Sequence, residues 1–133
     1  EWPEFVNLAG RVWDGTGHDK RGPFTVRVVA RAHPVTRGLE DFQTDDELFI
    51  ELTGDRPIEV LAAARSNITG NDHPMAFVLQ YGKGRVFHTT LGHDARAIRM
   101  PGAAELIRRG AAWAAAPSAA ASPPVPRQSA RSA

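Results

Sequence analysis

Cysteine is absent from the 133 residues of the chain. Its absence excludes disulfide scaffolds, thiolate zinc sites and cysteine nucleophiles, and it leaves the redox compartment undetermined. No apolar run approaches the ~20 residues that a membrane span needs, and no signal peptide is visible. The sequence begins with Glu1 rather than Met. We therefore expect a cytoplasmic location by default, and secretion is not excluded because the true N-terminus could lie upstream.

An excess of charge of one sign is also missing. The chain has 16 Lys and Arg residues against 15 Asp and Glu residues, which gives a net charge of +1. A protein that binds nucleic acid through a broad basic field needs a larger surplus, so we expect neither a nucleic-acid nor a membrane partner. The apolar fraction of 42% and the charged fraction of 23% are typical of a soluble globular protein, and the length suits one domain.

The composition changes at residue 117. Residues 117–133 are almost entirely Ala, Ser and Pro, without aromatic residues, and their only charges are Arg127 and Arg131. Such a segment has nothing to bury that would offset the entropy of ordering it. We predict a folded domain over residues 1–116 and a disordered tail over 117–133.

Hydrophobic periodicity predicts the elements of the folded part. A short N-terminal helix that ends at Gly10 should turn Trp2, Phe5 and Leu8 toward a core. A helix that begins at Pro101 should bury Leu106, Ile107 and Trp113. Strands are predicted near residues 24–30, 47–52, 58–64, 75–81 and 85–91, the last two as a hairpin through Gly82-Lys83-Gly84. One long helix cannot cover both faces of such a sheet, so the chain is either an α+β sandwich or part of a larger α/β domain.

Histidines are the main candidates for chemistry. We interpret His33 and His73, which precede prolines, as loop residues, and His88 as a structural residue within a strand. His93 follows a buried strand and a glycine, where open α/β sheets place ligand-binding residues. It is therefore a candidate general acid or base. Asp94 could orient its ring, although adjacent residues on an extended chain point apart and the partner could come from elsewhere.

Other polar residues allow weaker hypotheses. His18, His88 and His93 could bind a metal, but no two of them have the i,i+4 spacing of a helical ligand pair, so we expect no metal or other cofactor. The acidic run that ends at Glu47 is either a solvated face or a source of a carboxylate for hydroxyl groups or a proton. Trp13 could stack on a ligand, although core packing is the favoured interpretation.

Four segments together resemble the trehalose-utilisation (ThuA-like) family. They are residues 24–29, 33–39, 44–49 and 81–94, and the resemblance extends over about residues 2–113. It implies a flavodoxin-like α/β domain with a mixed sheet and a C-terminal helix, related to the class I glutamine amidotransferase fold. Members of the family are longer, so the chain would be the C-terminal part of the domain. Without cysteine, this chain cannot carry out amidotransferase chemistry.

The resemblance also assigns residues. His18 matches the family's Gly-His element, Glu47 its Asp-Glu-Leu element and His93 its Leu-Gly-His element. The implied function is binding or transforming a small disaccharide, including oxidised forms. We predict His93 as the catalytic residue and Glu47, His18 and Asp94 as substrate-binding residues. The alternative is a non-catalytic ThuA-like scaffold or binding module within a larger protein. The expected partner is a small carbohydrate, and a homo-oligomer is compatible with the sequence.

Overall fold

The computed structural model describes residues 2–117, which form three helices and five strands. The elements in chain order are α1 (Phe5–Ala9), β1 (Gly22–Val28), β2 (Phe42–Asp46), β3 (Glu59–Arg65), β4 (Asp72–Tyr81), β5 (Gly84–Thr89), α2 (Ala95–Ile98) and α3 (Pro101–Ala115). The strands form one sheet in the order β2-β1-β3-β4-β5. Among the described residues, no helix is long and apolar enough to cross a membrane.

The hairpin of β4 and β5 is confirmed. The two strands pair antiparallel from Ala76 opposite Thr89 to Tyr81 opposite Gly84. Gly82 turns the chain with a φ of 55°, a conformation that glycine adopts without the steric cost of a side chain. The local sequence signal is therefore sufficient for this element.

Helix α3 packs against the sheet, as predicted. Leu106 and Ala103 are fully buried in the core with Val26, Leu61 and Met75 of the sheet. Gly110 is buried on the same face and approaches Phe87 of β5 closely, since a Cβ at this position would lie 2.3 Å from the phenylalanine ring. Ile107 and Trp113 are only partly buried, so the core-facing stripe is narrower than predicted.

The strand predicted over residues 47–52 lies one segment earlier, in β2. Within β2, Thr44 and Asp46 face inward and are buried, while Gln43 is exposed. Polar residues on the inward face hide the alternation that normally marks a strand. Residues 47–52 are irregular apart from a bridge between His18 and Phe49.

The helices differ from the prediction in two places. Trp2 and Phe5 are 60% and 48% exposed, and their rings contact each other with centroids 5.7 Å apart, so they do not enter the core as predicted. Residues 95–98, where no helix is predicted, form α2, because the Asp94 side chain accepts a hydrogen bond from Ala97 N and begins a helical turn.

An α/β fold with a C-terminal helix is present, but the mixed sheet is not found in residues 2–117. All four strand pairings are antiparallel. Parallel neighbours need crossover connections, usually helical, and no α-helix lies between β1 and β5. The tail predicted over 117–133 lies outside the described residues except for Pro117.

Candidate functional site

Three of the residues predicted from the sequence meet around one carboxylate. His93 Nδ1 lies 3.0 Å from Glu47 Oε2. His18 Nδ1 lies 3.8 Å from the same oxygen. We call His18, Glu47 and His93 the His–Glu–His cluster. Its members come from three distant segments that the fold brings together.

The backbone explains how each member reaches the cluster. Glu47 directly follows β2, and His18 lies beside that segment through its bridge to Phe49. His93 follows the turn after β5, where Gly92 has a φ of 114°. A Cβ on Gly92 would also lie 2.8 Å from the side chain of Ile98, so both conformation and space favour glycine.

The carboxylate is shielded while the imidazoles reach solvent. The Glu47 side chain is 18% exposed, whereas those of His18 and His93 are 37% and 45% exposed. Because Glu47 can accept a hydrogen bond from His93 Nδ1, it favours the tautomer that leaves Nε2 free as an acceptor. His18 Nδ1 lies 2.9 Å from the Asp19 carbonyl, an acceptor that requires Nδ1 to carry the proton. The cluster can therefore present imidazole nitrogens to a ligand and stabilise an imidazolium.

Aromatic rings border the cluster. The Trp13 ring lies 5.1 Å from Phe49 and 6.2 Å from His18 between centroids. Trp13 is 45% exposed and its indole N–H donates to the Gly17 carbonyl, so it is not the core residue that was favoured from sequence. Trp13 and Phe49 also line a cavity of about 280 Å³ that extends toward His88. An apolar face thus adjoins the acid–base groups.

Asp94 does not join the cluster. Its carboxylate caps α2 and forms two contacts with the Arg21 guanidinium, at 2.7 and 3.2 Å. The backbone N–H of Ala97, followed by the hydrogen bond from Arg21, lowers the pKa of Asp94 to about 2. These contacts give Asp94 a structural function in the α2 cap and the ion pair with Arg21, and its predicted role in substrate binding stays a prediction.

The other histidines serve the fold. His88 Nδ1 lies 2.8 Å from the Ala9 carbonyl, and its ring lies 4.6 Å from that of Phe77. His33 accepts a hydrogen bond from Val35 N in a loop, as predicted. His73 lies in β4 rather than in a loop, and its buried ring contacts Thr69 Oγ1. Within residues 2–117, no group of three or more His, Asp or Glu side chains is arranged to hold a metal ion. The metal hypothesis for His18, His88 and His93 therefore gains no support.

Asp46 is the residue at this site that sequence reasoning missed. It is fully buried, and its carboxylate accepts hydrogen bonds from the backbone of Glu47, Gly92 and His93. Read as part of an acidic run, it appears solvent-facing. Its place at an inward position of β2 could have revealed it, had that strand been recognised.

Comparison with known proteins identifies the family to which the chain belongs. The sequence pattern described as trehalose utilisation, ThuA, matches residues 1–114, so the chain belongs to the ThuA family. A structural neighbour is a protein from Parabacteroides merdae ATCC 43184 described as ThuA-like, with a TM-score of 0.75 and 27% sequence identity. The alignment covers 85% of this chain and 55% of the neighbour, so this chain spans about half the neighbour's length. No curated protein matches the chain.

Proposed function

We propose that the chain binds a small carbohydrate at the His–Glu–His cluster and acts on it by acid–base chemistry, with His93 as general base or acid. The 3.0 Å contact between His93 Nδ1 and Glu47 Oε2 carries this proposal. A carboxylate on Nδ1 orients the ring and leaves Nε2 to take a proton from a sugar hydroxyl or return one. The imidazolium formed in this step is stabilised by the same carboxylate.

The surroundings of the cluster fit a sugar. Ligand sites combine apolar and aromatic walls with a few polar groups that fix orientation. Here the exposed face of Trp13 and the ring of Phe49 provide an apolar wall. His18 offers a second imidazole for hydroxyl groups, with its Nδ1 fixed by the Asp19 carbonyl. The family description, trehalose utilisation, supports trehalose and related disaccharides as the substrate class, and our proposal includes their oxidised forms.

A non-catalytic binding module is the second candidate. The exposure of His18 and His93, 37% and 45%, favours it, because acid–base catalysis usually gains from a site that excludes water. In this case the cluster and Trp13 would hold the sugar without turnover.

We also propose that this chain forms the C-terminal part of a flavodoxin-like domain with a mixed sheet. The length of the ThuA-like neighbour supports this, and so does a groove of about 480 Å³ along β5. The groove lies between α1 and α3 and is lined by apolar side chains such as Phe5, Leu8 and Ile107. A further strand could pair with β5 there and be covered by both helices.

Calorimetric titration of the 133-residue chain with a panel of disaccharides and their oxidised forms tests the function. We expect one or more of them to bind, and Glu47→Gln to weaken binding at least 10-fold. Glu40→Gln is the matched control because the Glu40 side chain is 89% exposed and pairs with Arg31 rather than with a histidine of the cluster, so it should leave affinity unchanged. Turnover of the bound sugar would favour the enzyme over the binding module. Failure of every sugar to bind would contradict both candidates.

A further inference from the structure

We infer that Asp46 is a positioning residue that holds Glu47 and His93 in register with each other. The inference rests on the proposed function, since it assigns a device to the same cluster. Asp46 is 0% exposed at the end of β2, and its carboxylate contacts the backbone of the cluster residues instead of reaching solvent. It would therefore act through its neighbours and not on substrate.

The hydrogen bonds of Asp46 converge from both sides of the cluster. Oδ1 accepts from Glu47 N at 2.8 Å and from His93 N at 3.1 Å. Oδ2 accepts from Gly92 N at 2.7 Å. A buried carboxylate is costly unless it is hydrogen-bonded, so the loop must present both consecutive N–H groups to it. One oxygen thus joins the backbones of the two residues whose side chains lie 3.0 Å apart.

The conformation of Gly92 completes the arrangement. Its positive φ of 114° turns the chain out of β5 so that the N–H groups of residues 92 and 93 both face Asp46. Successive backbone N–H groups that point to one anion form a common anion-binding geometry, here satisfied within the chain. The turn after β5 is fixed by this internal anion.

A carboxylate is required at position 46 because both of its oxygens accept hydrogen bonds from backbone N–H groups. Asp46→Asn is a nearly isosteric change. The amide oxygen can still accept the hydrogen bonds from the backbone N–H groups of Glu47 and His93, but the NH₂ group then faces the Gly92 N–H, so that two donors oppose each other. The flipped amide places the NH₂ against Glu47 and His93 instead. Either orientation displaces the loop that carries His93. A misplacement of ~1 Å can reduce a catalysed rate by ~100-fold.

The matched control is Asp41→Asn. Asp41 precedes β2, and its carboxylate accepts from the backbone N–H of Val28 at 2.9 Å and from Arg31. The same substitution therefore perturbs a carboxylate–backbone contact at the opposite end of the strand. Asp41→Asn should change neither the tautomer of His93 nor the activity.

The test compares the tautomer of His93, read from ring nitrogen chemical shifts at fixed pH, in the wild type and three variants. We expect Nδ1–H to predominate in the wild type, and to be lost in Glu47→Ala and Asp46→Asn but not in Asp41→Asn. If the protein turns over a sugar, Asp46→Asn should lower kcat by ~10 to 100-fold with KM within about 2-fold. An unchanged tautomer in folded Asp46→Asn overturns the inference.

Two further outcomes keep the test decisive. The tautomer comparison needs no substrate, so a protein that binds no sugar refutes the proposed function and still tests Asp46. If Asp46→Asn does not fold, amide hydrogen exchange in the wild type decides. Protection of the Gly92 and His93 amides supports the inference, and exchange as fast as in an open loop overturns it.

Discussion

Replacing Gly110 with Ala should destabilise the fold, although the same change stabilises an unobstructed helix. Gly110 lies within α3 and faces β5. A Cβ there would lie 2.3 Å from Phe87 Cδ1 and 2.4 Å from Phe87 Cγ and Cε1. Carbon atoms in contact normally lie ~3.5–4.0 Å apart. Either the Phe87 ring or the helix and the strand must therefore shift by roughly 1.1–1.7 Å, the difference between these spacings.

Two opposing effects set the size of the change. Overpacking of this kind costs ~1–3 kcal/mol. Ala gains ~1 kcal/mol over Gly from helix propensity. Because three ring atoms are contacted at once, we expect a cost near the upper limit and a net loss of ~1–2 kcal/mol. This corresponds to a fall in Tm of about 4 °C per kcal/mol for a chain of this size.

Urea denaturation of the wild type and the variants measures this loss. Ala112→Gly, at an exposed position of α3, is the control and should lose ~1 kcal/mol by propensity alone. In a Phe87→Leu background the ring is gone, so Gly110→Ala should become neutral or stabilising. A more stable Gly110→Ala protein in the wild-type background would refute the close approach of α3 to β5.

Three further results are expected. Leu106→Ala should cost ~2–5 kcal/mol in urea denaturation because Leu106 is fully buried, and a loss below ~0.5 kcal/mol would place it on the surface. Asp94 has a pKa of about 2, below its ordinary value of 3.8, so its stabilising contribution is complete above that value and is lost as the pH falls through 2. The stability difference between wild type and Asp94→Asn should accordingly shrink between roughly pH 5 and pH 2, and a constant difference would contradict the hydrogen bonds that Asp94 accepts from Ala97 N and Arg21. His88→Ala should lower stability by ~1–2 kcal/mol through lost contacts with Ala9 and Phe77 while sugar binding is partly kept.

Local sequence signals predicted the parts of the fold that depend on local chemistry. The hairpin follows from two apolar runs joined by glycines, and α3 follows from Pro101 and a helical stripe around Leu106. The strand β2 could not be recognised because Thr44 and Asp46 occupy its buried face. The burial of Asp46 depends on hydrogen bonds with residues more than 40 positions away, Gly92 and His93.

The same distinction applies to the site. Short strings singled out His18, Glu47 and His93 one by one, but their meeting depends on how distant segments pack. Adjacency in sequence makes Asp94 a candidate to orient the His93 ring, with a carboxylate from elsewhere in the chain as the alternative. The structure pairs His93 with Glu47 instead, and gives Asp94 to Arg21 and the α2 cap.

The most direct test of the proposed function is the disaccharide affinity and turnover of His93→Ala, measured beside His88→Ala as the control histidine. We expect His93→Ala to abolish sugar binding or turnover and to change stability by less than ~1 kcal/mol, because the His93 side chain is 45% exposed and its removal leaves no large cavity. His88→Ala should retain part of the function despite its lower stability. Full sugar binding and turnover in His93→Ala would contradict the proposed role of His93 in the site.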